Sequence, residues 1–154
     1  MSDELWLEEL RDASRRLNVT IVDHPVTSKT DLERWPETFR TERVDAVLHL
    51  VNATVNENWE VALRALQTAR MPDMSYYLPA VENHWVLAAY AIPHREAWRM
   101  SARFVARILR GAKPQDLPVE SPDVLELHIN RRIARERGIQ IPEAILRRAD
   151  KTFE

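Results

Sequence analysis

The chain has 154 residues, 45% of them hydrophobic, which is enough for one domain with a sizeable core. Its net charge of −2, with both signs spread along the sequence, argues against a dedicated nucleic-acid surface. The absence of cysteine excludes disulfides and thiolate metal sites. The chain has only two glycines, Gly111 and Gly138, so it lacks the glycine-rich phosphate loop of Rossmann and P-loop nucleotide sites. We therefore expect no cofactor.

The first ten residues, MSDELWLEEL, are acidic and amphipathic. A secretory signal instead requires a basic start and an apolar run of about 7–15 residues. The longest apolar run, from Trp85 to Ile92, is far shorter than the roughly 20 residues that span a bilayer. The sequence as written therefore predicts a cytoplasmic protein without membrane insertion.

Helical and strand patterns alternate through the first half of the chain. The run VDAVLHLV is the strongest strand candidate, because it is mostly apolar, as a strand covered on both faces must be. Pro36 is expected to disturb the helix that contains it. The spacing of apolar residues predicts helices over 3–17, 31–42 and 56–70, and strands over 18–23 and 44–51.

The same alternation continues in the second half, which a proline-rich linker over 113–122 interrupts. The patterns predict strands over 74–78, 85–92 and 124–130, and helices over 94–110, 131–137 and 143–151. Strands that alternate with helices are typical of an α/β protein with a mainly parallel sheet. We therefore expect residues 1–154 to form a single α/β domain, a three-layer sandwich.

Two segments near the C-terminus carry a recognisable pattern. Residues 107–120 read RILRGAKPQDLPVE, and residues 125–150 read LELHINRRIARERGIQIPEAILRRAD. In order, spacing and rare residue choices they resemble the end of a family of ABC-transporter substrate-binding proteins. That family closes with a helix ending in ILKGAKPADLPVE, then FELVINLKTAKALGLTIP and LLxRADEVIE. Weaker similarity extends back through residues 44–93 and to the first helix.

The resemblance implies the C-terminal half of a type I periplasmic-binding-protein-like fold. In this family two α/β lobes enclose a small solute, often an aromatic amino acid, at the carboxyl ends of their strands. Members lie in the periplasm or are anchored outside the cell, and they deliver the solute to an ABC permease. The resemblance thus implies a solute-binding component of an ABC importer, or a truncated remnant of one. The alternative is an interaction or sensory domain that derives from the family without a role in transport.

Polar and aromatic side chains follow the predicted strands at the positions where the resemblance places a solute. Asn52 follows the first apolar strand, Tyr76 and Tyr77 lie in the next, and Glu82 comes just beyond them. Tyr90 lies near the end of the third strand. Tyrosine and asparagine suit an aromatic or zwitterionic solute because they offer stacking and hydrogen bonds. These five residues are the candidate ligand-binding set; the alternative is an ordinary loop with solvated polar groups.

The chain departs from the family at a stretch that normally contains glycines. Where members show a sequence such as VEAGGLMSYG, this chain reads VENHWVLAAYA from Val81. Backbone that approaches a ligand closely often requires glycine. The first lobe, which supplies half of the cleft in the family, has no counterpart in the sequence. We therefore expect the isolated chain to bind amino acids weakly or not at all.

Catalytic patterns are lacking in the sequence. The five histidines are dispersed and form no HExxH motif, and no GxSxG elbow occurs. Asp23 stands alone after its predicted strand, which argues against a phosphoacceptor domain. The sequence predicts neither an enzyme nor a metal site.

The resemblance also leads to an expectation about assembly. In the family a strand precedes the helix that matches residues 3–17, and without it the sheet would have an unpaired edge. The apolar face of the helix over 94–110, with Trp98, Val105 and Leu109, would also require a partner. We therefore predict a homodimer, formed by edge pairing or by exchange of the segment beyond Pro79. The alternative is a rearranged compact monomer in which the helix over 94–110 folds back over the strand over 44–51.

Overall fold

The computed structural model describes residues 3–50, 52–120, 122 and 124–154. Its helices are α1 (Asp3–Leu17), α2 (Lys29–Glu42), α3 (Ala53–Glu57), α4 (Trp59–Ala69), α5 (Leu78–Glu82), α6 (His94–Leu109), α7 (Arg131–Arg137) and α8 (Glu143–Leu146). Its strands are β1 (Val47–His49), β2 (Asp73–Ser75), β3 (Ala88–Ala91), β4 (Glu126–Asn130) and β5 (Lys151–Phe153). A short 3-10 turn, Pro114–Asp116, lies in the predicted linker.

The strands form one sheet in the order β1-β2-β3-β4-β5. β1, β2 and β3 are parallel, β4 runs antiparallel to β3, and β5 is parallel to β4. The carboxyl ends of β1 to β3 therefore share one edge of the sheet with the amino end of β4. This arrangement confirms the predicted α/β class with a mainly parallel sheet.

One face of the sheet is covered by α2 and α4. The start of α2 is fixed by a capping box, in which the Ser28 side chain accepts from the Asp31 amide and the Asp31 carboxylate accepts from the Ser28 amide. Pro36 lies inside α2 without ending it. The buried residues of this core are Val26, Leu32, Trp35, Phe39, Val55, Ala62, Ala65, Leu66 and Met71.

The opposite face is open over β1 and β3. Leu48 and Tyr90 are each 50% exposed, whereas their strand neighbours His49 and Ala89 are buried on the covered face. The expectation that the strand over 44–51 is covered on both faces is therefore wrong. β1 lies at the edge of the sheet and extends only over Val47–His49; Val51 lies outside the described residues.

The predicted strand over 18–23 is also wrong, because these residues form no strand and Val19, Ile21 and Val22 are exposed. A β-branched run forms a strand only where a neighbouring strand offers hydrogen bonds and packing. The helix predicted over 143–151 ends at Leu146, and β5 follows. Asp150 accounts for this difference, because its amide donates to the Leu127 carbonyl and its carboxylate accepts from the Leu127 amide.

Candidate functional site

The three tyrosines of the chain lie at the carboxyl edge of the parallel strands. Ser75 at the end of β2 is in register with Ala89 of β3. Tyr76 follows Ser75 and Tyr90 follows Ala89, so the two tyrosines occupy neighbouring positions at this edge of the sheet. In parallel sheets solutes bind at this edge. The structure therefore brings together the three tyrosines that the sequence nominated.

Tyr77 and His94 form the centre of an aromatic cluster at this edge. The Tyr77 ring lies 6.5 Å from the Tyr76 ring and 5.2 Å from the His94 ring, measured between centroids. The chain turns here because the Tyr77 amide donates to the Ser75 hydroxyl, which starts α5. Tyr76 is exposed and Tyr77 is half-buried, so the Tyr76 ring is accessible and lies against the less accessible Tyr77 ring.

Asn52 lies at the same edge, but its side chain is hydrogen-bonded to backbone groups. Its side-chain amide donates to the Val26 carbonyl at 3.0 Å, and its carbonyl accepts from the Val55 amide at 3.0 Å. The second bond makes Asn52 the N-cap of α3. The side chain therefore positions α3 and the preceding loop beside the site.

Glu82 is separated from the other four candidates. It ends α5 and is exposed. His84, two residues later, hydrogen-bonds to Asn130, whose backbone amide donates to Leu87 at the amino end of β3. Glu82 therefore lies towards the opposite edge of the sheet from the tyrosines.

A charged pair that the sequence did not nominate lies next to the aromatic cluster. Arg95 follows His94 in α6 and forms a salt bridge with Glu126, the first residue of β4. Glu126 pairs with Ala91 at the carboxyl end of β3, and its other oxygen lies 2.9 Å from the His128 imidazole. Arg95 remains largely exposed. The edge thus combines aromatic rings with an accessible guanidinium and a carboxylate.

A buried ionic network fixes the strands behind this edge. The Asp73 carboxylate accepts from Arg137 at 2.6 Å and from the Leu87 amide at 2.9 Å, and it lies 3.0 Å from the His49 imidazole. The side chains of Asp73 and Arg137 have no solvent exposure. His49 packs between Trp35 and Trp59, with ring centroids at 6.0 and 5.5 Å. The network joins β1, β2 and α7, which keeps the carboxyl edge in place.

A separate depression of about 180 Å³ lies between α7 and α8, among Arg131, Arg135, Ile139 and Leu146. Both arginines pair with Glu154, at 2.8 and 2.6 Å. The hydrogen bond from Arg135, aided by the charge of Arg131, holds the pKa of Glu154 below its ordinary value. The described residues that line this depression include no aromatic side chain, so it suits an aromatic solute less well than the carboxyl edge does.

Two further findings concern only the part of the chain that the structure describes. No three His, Asp or Glu side chains converge there as a metal ion would require. No helix there is both long and apolar enough to cross a membrane.

A family model described as ABC transporter substrate binding protein matches residues 4–153. A solved structure of a conserved domain protein from Vibrio cholerae O1 biovar El Tor is similar, with 26% identity and a TM-score of 0.81 over 96% of this chain and 49% of that chain. An ABC domain from Streptococcus pneumoniae in complex with L-Trp shows 25% identity and a TM-score of 0.81 over 97% and 50%.

A ligand-free, open substrate binding protein with adhesive properties from Clostridium difficile shares the fold, with 14% identity and a TM-score of 0.73 over 98% of this chain and 50% of that chain. The chain thus spans about half the length of each of these structures. A comparison with curated protein sequences finds no match.

Proposed function

We propose, for a chain that belongs to the ABC transporter substrate-binding protein family, that it contributes one wall of a solute site at the carboxyl edge of its sheet. The observation that carries the proposal is the cluster of Tyr76, Tyr77 and His94 beside the salt bridge of Arg95 and Glu126. Both the family and the fold are those of substrate-binding proteins.

The chemistry of this edge favours an amino acid with an aromatic side chain. The exposed Tyr76 ring offers a face for offset stacking. Arg95 suits a carboxylate, because its side chain is 60% exposed and a guanidinium has more donors than its salt bridge with Glu126 uses. Glu126 orients Arg95, since its two oxygens are engaged by Arg95 and His128. The complex of the streptococcal relative with L-Trp supports this class of solute.

The same family membership supports a role in import. In this role the chain would meet its solute outside the cytoplasmic membrane and deliver it to an ABC permease. Because the chain spans about half of its structural relatives, it would supply one wall of the two-lobed cleft that the family resemblance implies. We therefore expect a single copy to bind its solute weakly, with fast exchange.

Tyrosine-specific labelling tests the proposal directly, because all three tyrosines of the chain belong to the candidate site. The chain would be produced with 3-fluorotyrosine and titrated with L-tryptophan, L-phenylalanine and L-alanine while the fluorine resonances are recorded. We expect the resonances of Tyr76 and Tyr90 to shift in a saturable way with the two aromatic amino acids, and less with alanine.

Two variants locate the effect. Arg95→Met should weaken binding of the amino acid, because the carboxylate loses its guanidinium partner, which is worth about 1.5–3 kcal/mol for a hydrogen bond to a charged group. Glu82→Gln is the matched control and should leave the titration unchanged, because Glu82 lies towards the other edge. Tyrosine resonances that stay fixed with all three solutes would overturn the proposal and favour the interaction domain without transport.

A further inference from the structure

Three side chains form a series of contacts that leads from the proposed solute site into the core. Arg95, whose side chain is 60% exposed, donates to one oxygen of Glu126 at 2.5 Å. The other oxygen of Glu126 lies 2.9 Å from the Nε2 atom of His128. The side chains of Glu126 and His128 are only 10% and 6% exposed. A single carboxylate therefore joins a guanidinium at the surface to a buried imidazole.

Strand β4 brings the two inner members of this series together. Residues two apart in a strand point to the same face, so Glu126 and His128 are neighbours on one face of β4. Because β4 begins at the carboxyl edge of β1 to β3, Glu126 lies at that edge, and His128 lies further inside, in register with Ala89. Helix α6 begins at the same edge, which brings Arg95 to Glu126.

The contact with Glu126 determines where the protons of His128 lie. A neutral imidazole has one N–H, and a carboxylate only accepts, so the neutral ring carries this proton on Nε2 and donates it to Glu126. A second proton would go to Nδ1, which has no hydrogen-bond partner in the described part of the chain. The imidazolium would therefore depend on Glu126 to stabilise its charge.

Other titratable side chains on the elements around β4 are exposed or engaged elsewhere. The β3 residue beside His128 is Ala89, which has no charge, and the Phe153 ring lies 5.7 Å from the imidazole. The titratable groups are the exposed Glu82 of α5 and Lys151 of β5, together with His84, Asp150 and Glu96, which hydrogen-bond to Asn130, the Leu127 amide and Arg99 respectively. A charge on His128 therefore acts mainly through Glu126.

We propose that His128 is a positioning residue that couples the affinity of Arg95 for a carboxylate to pH through Glu126. While His128 is neutral, the charges of Arg95 and Glu126 offset each other. When His128 is protonated, one carboxylate faces two cations, so Arg95 is partly released to bind the carboxylate of a solute. The solute should therefore bind more tightly as pH falls through the range in which histidine side chains become charged. This inference rests on the proposed solute site and concerns its regulation.

The distance between the groups sets the size of the effect. With the contacts in series, a solute carboxylate on Arg95 lies roughly 10 Å from the His128 ring, where a unit charge changes an affinity by about two- to fifteenfold for an effective dielectric constant of about 20–80. Coupling between two sites is reciprocal, so the bound solute should favour protonation of His128 by the same factor.

The pH profile of solute binding tests the inference. The chain with 3-fluorotyrosine would be titrated with L-phenylalanine between about pH 5.5 and 7.5, where histidine titrates and the charges of the solute do not change. The wild type should bind about two- to fifteenfold more tightly at the lower pH. His128→Gln can still donate to Glu126 but cannot be protonated, so its affinity should not change with pH. His24→Gln is the matched control and should keep the wild-type profile, because His24 pairs instead with Glu42 of α2 at 2.8 Å.

The second histidine at this edge requires its own variant. His94 lies against Tyr77, so His94→Gln is expected to alter the affinity itself. Its affinity should nevertheless still rise as pH falls, because His128 is intact. Loss of the pH dependence in His94→Gln would overturn the inference and assign the effect to His94.

A measurement on the wild type applies even if His128→Gln fails to fold. The Hε1 proton resonances of the histidines would be followed against pH, with and without saturating L-phenylalanine. The solute should move the titration of His128 to higher pH and leave that of His24 unchanged. A solute that binds without moving the titration of His128, or a folded His128→Gln that keeps the wild-type profile, would overturn the inference and leave the proposed function in place. Tyrosine resonances that stay fixed at every pH would overturn both.

Discussion

Removing the charge of Asp73 should destabilise the fold severely. In Asp73→Asn the guanidinium of Arg137, which has no solvent exposure, loses the one charged partner that it has among the described residues. Within the described part of the chain its Nε and Nη2 atoms have no hydrogen-bond partner, so few contacts remain to offset the buried charge. Breaking a buried ion pair on one side costs about 3–5 kcal/mol. For a domain of this size that corresponds to a fall in Tm of about 6–20 °C.

Urea unfolding followed by tryptophan fluorescence measures this loss. Trp35 and Trp59 both pack against His49, which contacts Asp73, so their emission reports the affected region. Asp12→Asn is the matched control, because Asp12 pairs with Arg15 at 2.6 Å on the exposed surface. That change should stay within about 0.5 kcal/mol of wild type.

The double variant Asp73→Asn with Arg137→Met separates the buried charge from the lost packing. It should regain much of the lost stability, because no unpaired charge then remains in the core. A loss below about 1 kcal/mol in the single variant would refute the reasoning, since it lies under the range for a buried ion pair. A double variant less stable than the single one would refute it equally.

Three smaller changes test other contacts. Hydrogen bonds, first from the Thr27 amide, hold the pKa of Asp31 below its ordinary value. The ionised carboxylate therefore stabilises the fold above the ordinary pKa, and this contribution is lost as pH falls through the lowered pKa. The Tm of Asp31→Asn should depend less on pH in this acidic range than that of the wild type, and equal slopes would contradict this. Asn130→Ala should lose about 2–3 kcal/mol in urea unfolding, because it leaves buried partners unsatisfied, whereas the exposed Asn83→Ala should change little. Gly138→Ala should cost about 1 kcal/mol in the same assay, because its φ is +70°; no loss would show that the backbone relaxes.

Helices were predicted more accurately than strands because their pattern is local. α1 and α7 have the predicted bounds, and α6 differs by one residue. The strand over 18–23 failed because a strand needs a neighbour that may lie anywhere in the sequence. β5 was missed for the same reason, since its place depends on Asp150 reaching Leu127 of β4.

Only part of the candidate site could likewise be predicted from the sequence. Tyr76, Tyr77 and Tyr90 could be predicted because residues that end successive parallel strands meet at one edge. Arg95 and Glu126 were missed because their meeting depends on β4 running antiparallel to β3. Hydrophobic periodicity gives no information on strand direction. The aromatic half of the site was therefore visible in the sequence, and the charged half was not.

The two faces of the sheet differ in what holds them in place. On the covered face, Asp73, His49 and Arg137 fix β1 and β2 to the rest of the fold within a single copy. The strands therefore do not need a partner in order to hold their positions. On the open face, Leu48 and Tyr90 have no such cover. Contacts on the covered face therefore fix the strands by themselves. The tyrosines at the carboxyl ends of these strands are held in place before a solute reaches the proposed site, so binding there does not carry the entropic cost of ordering the strands.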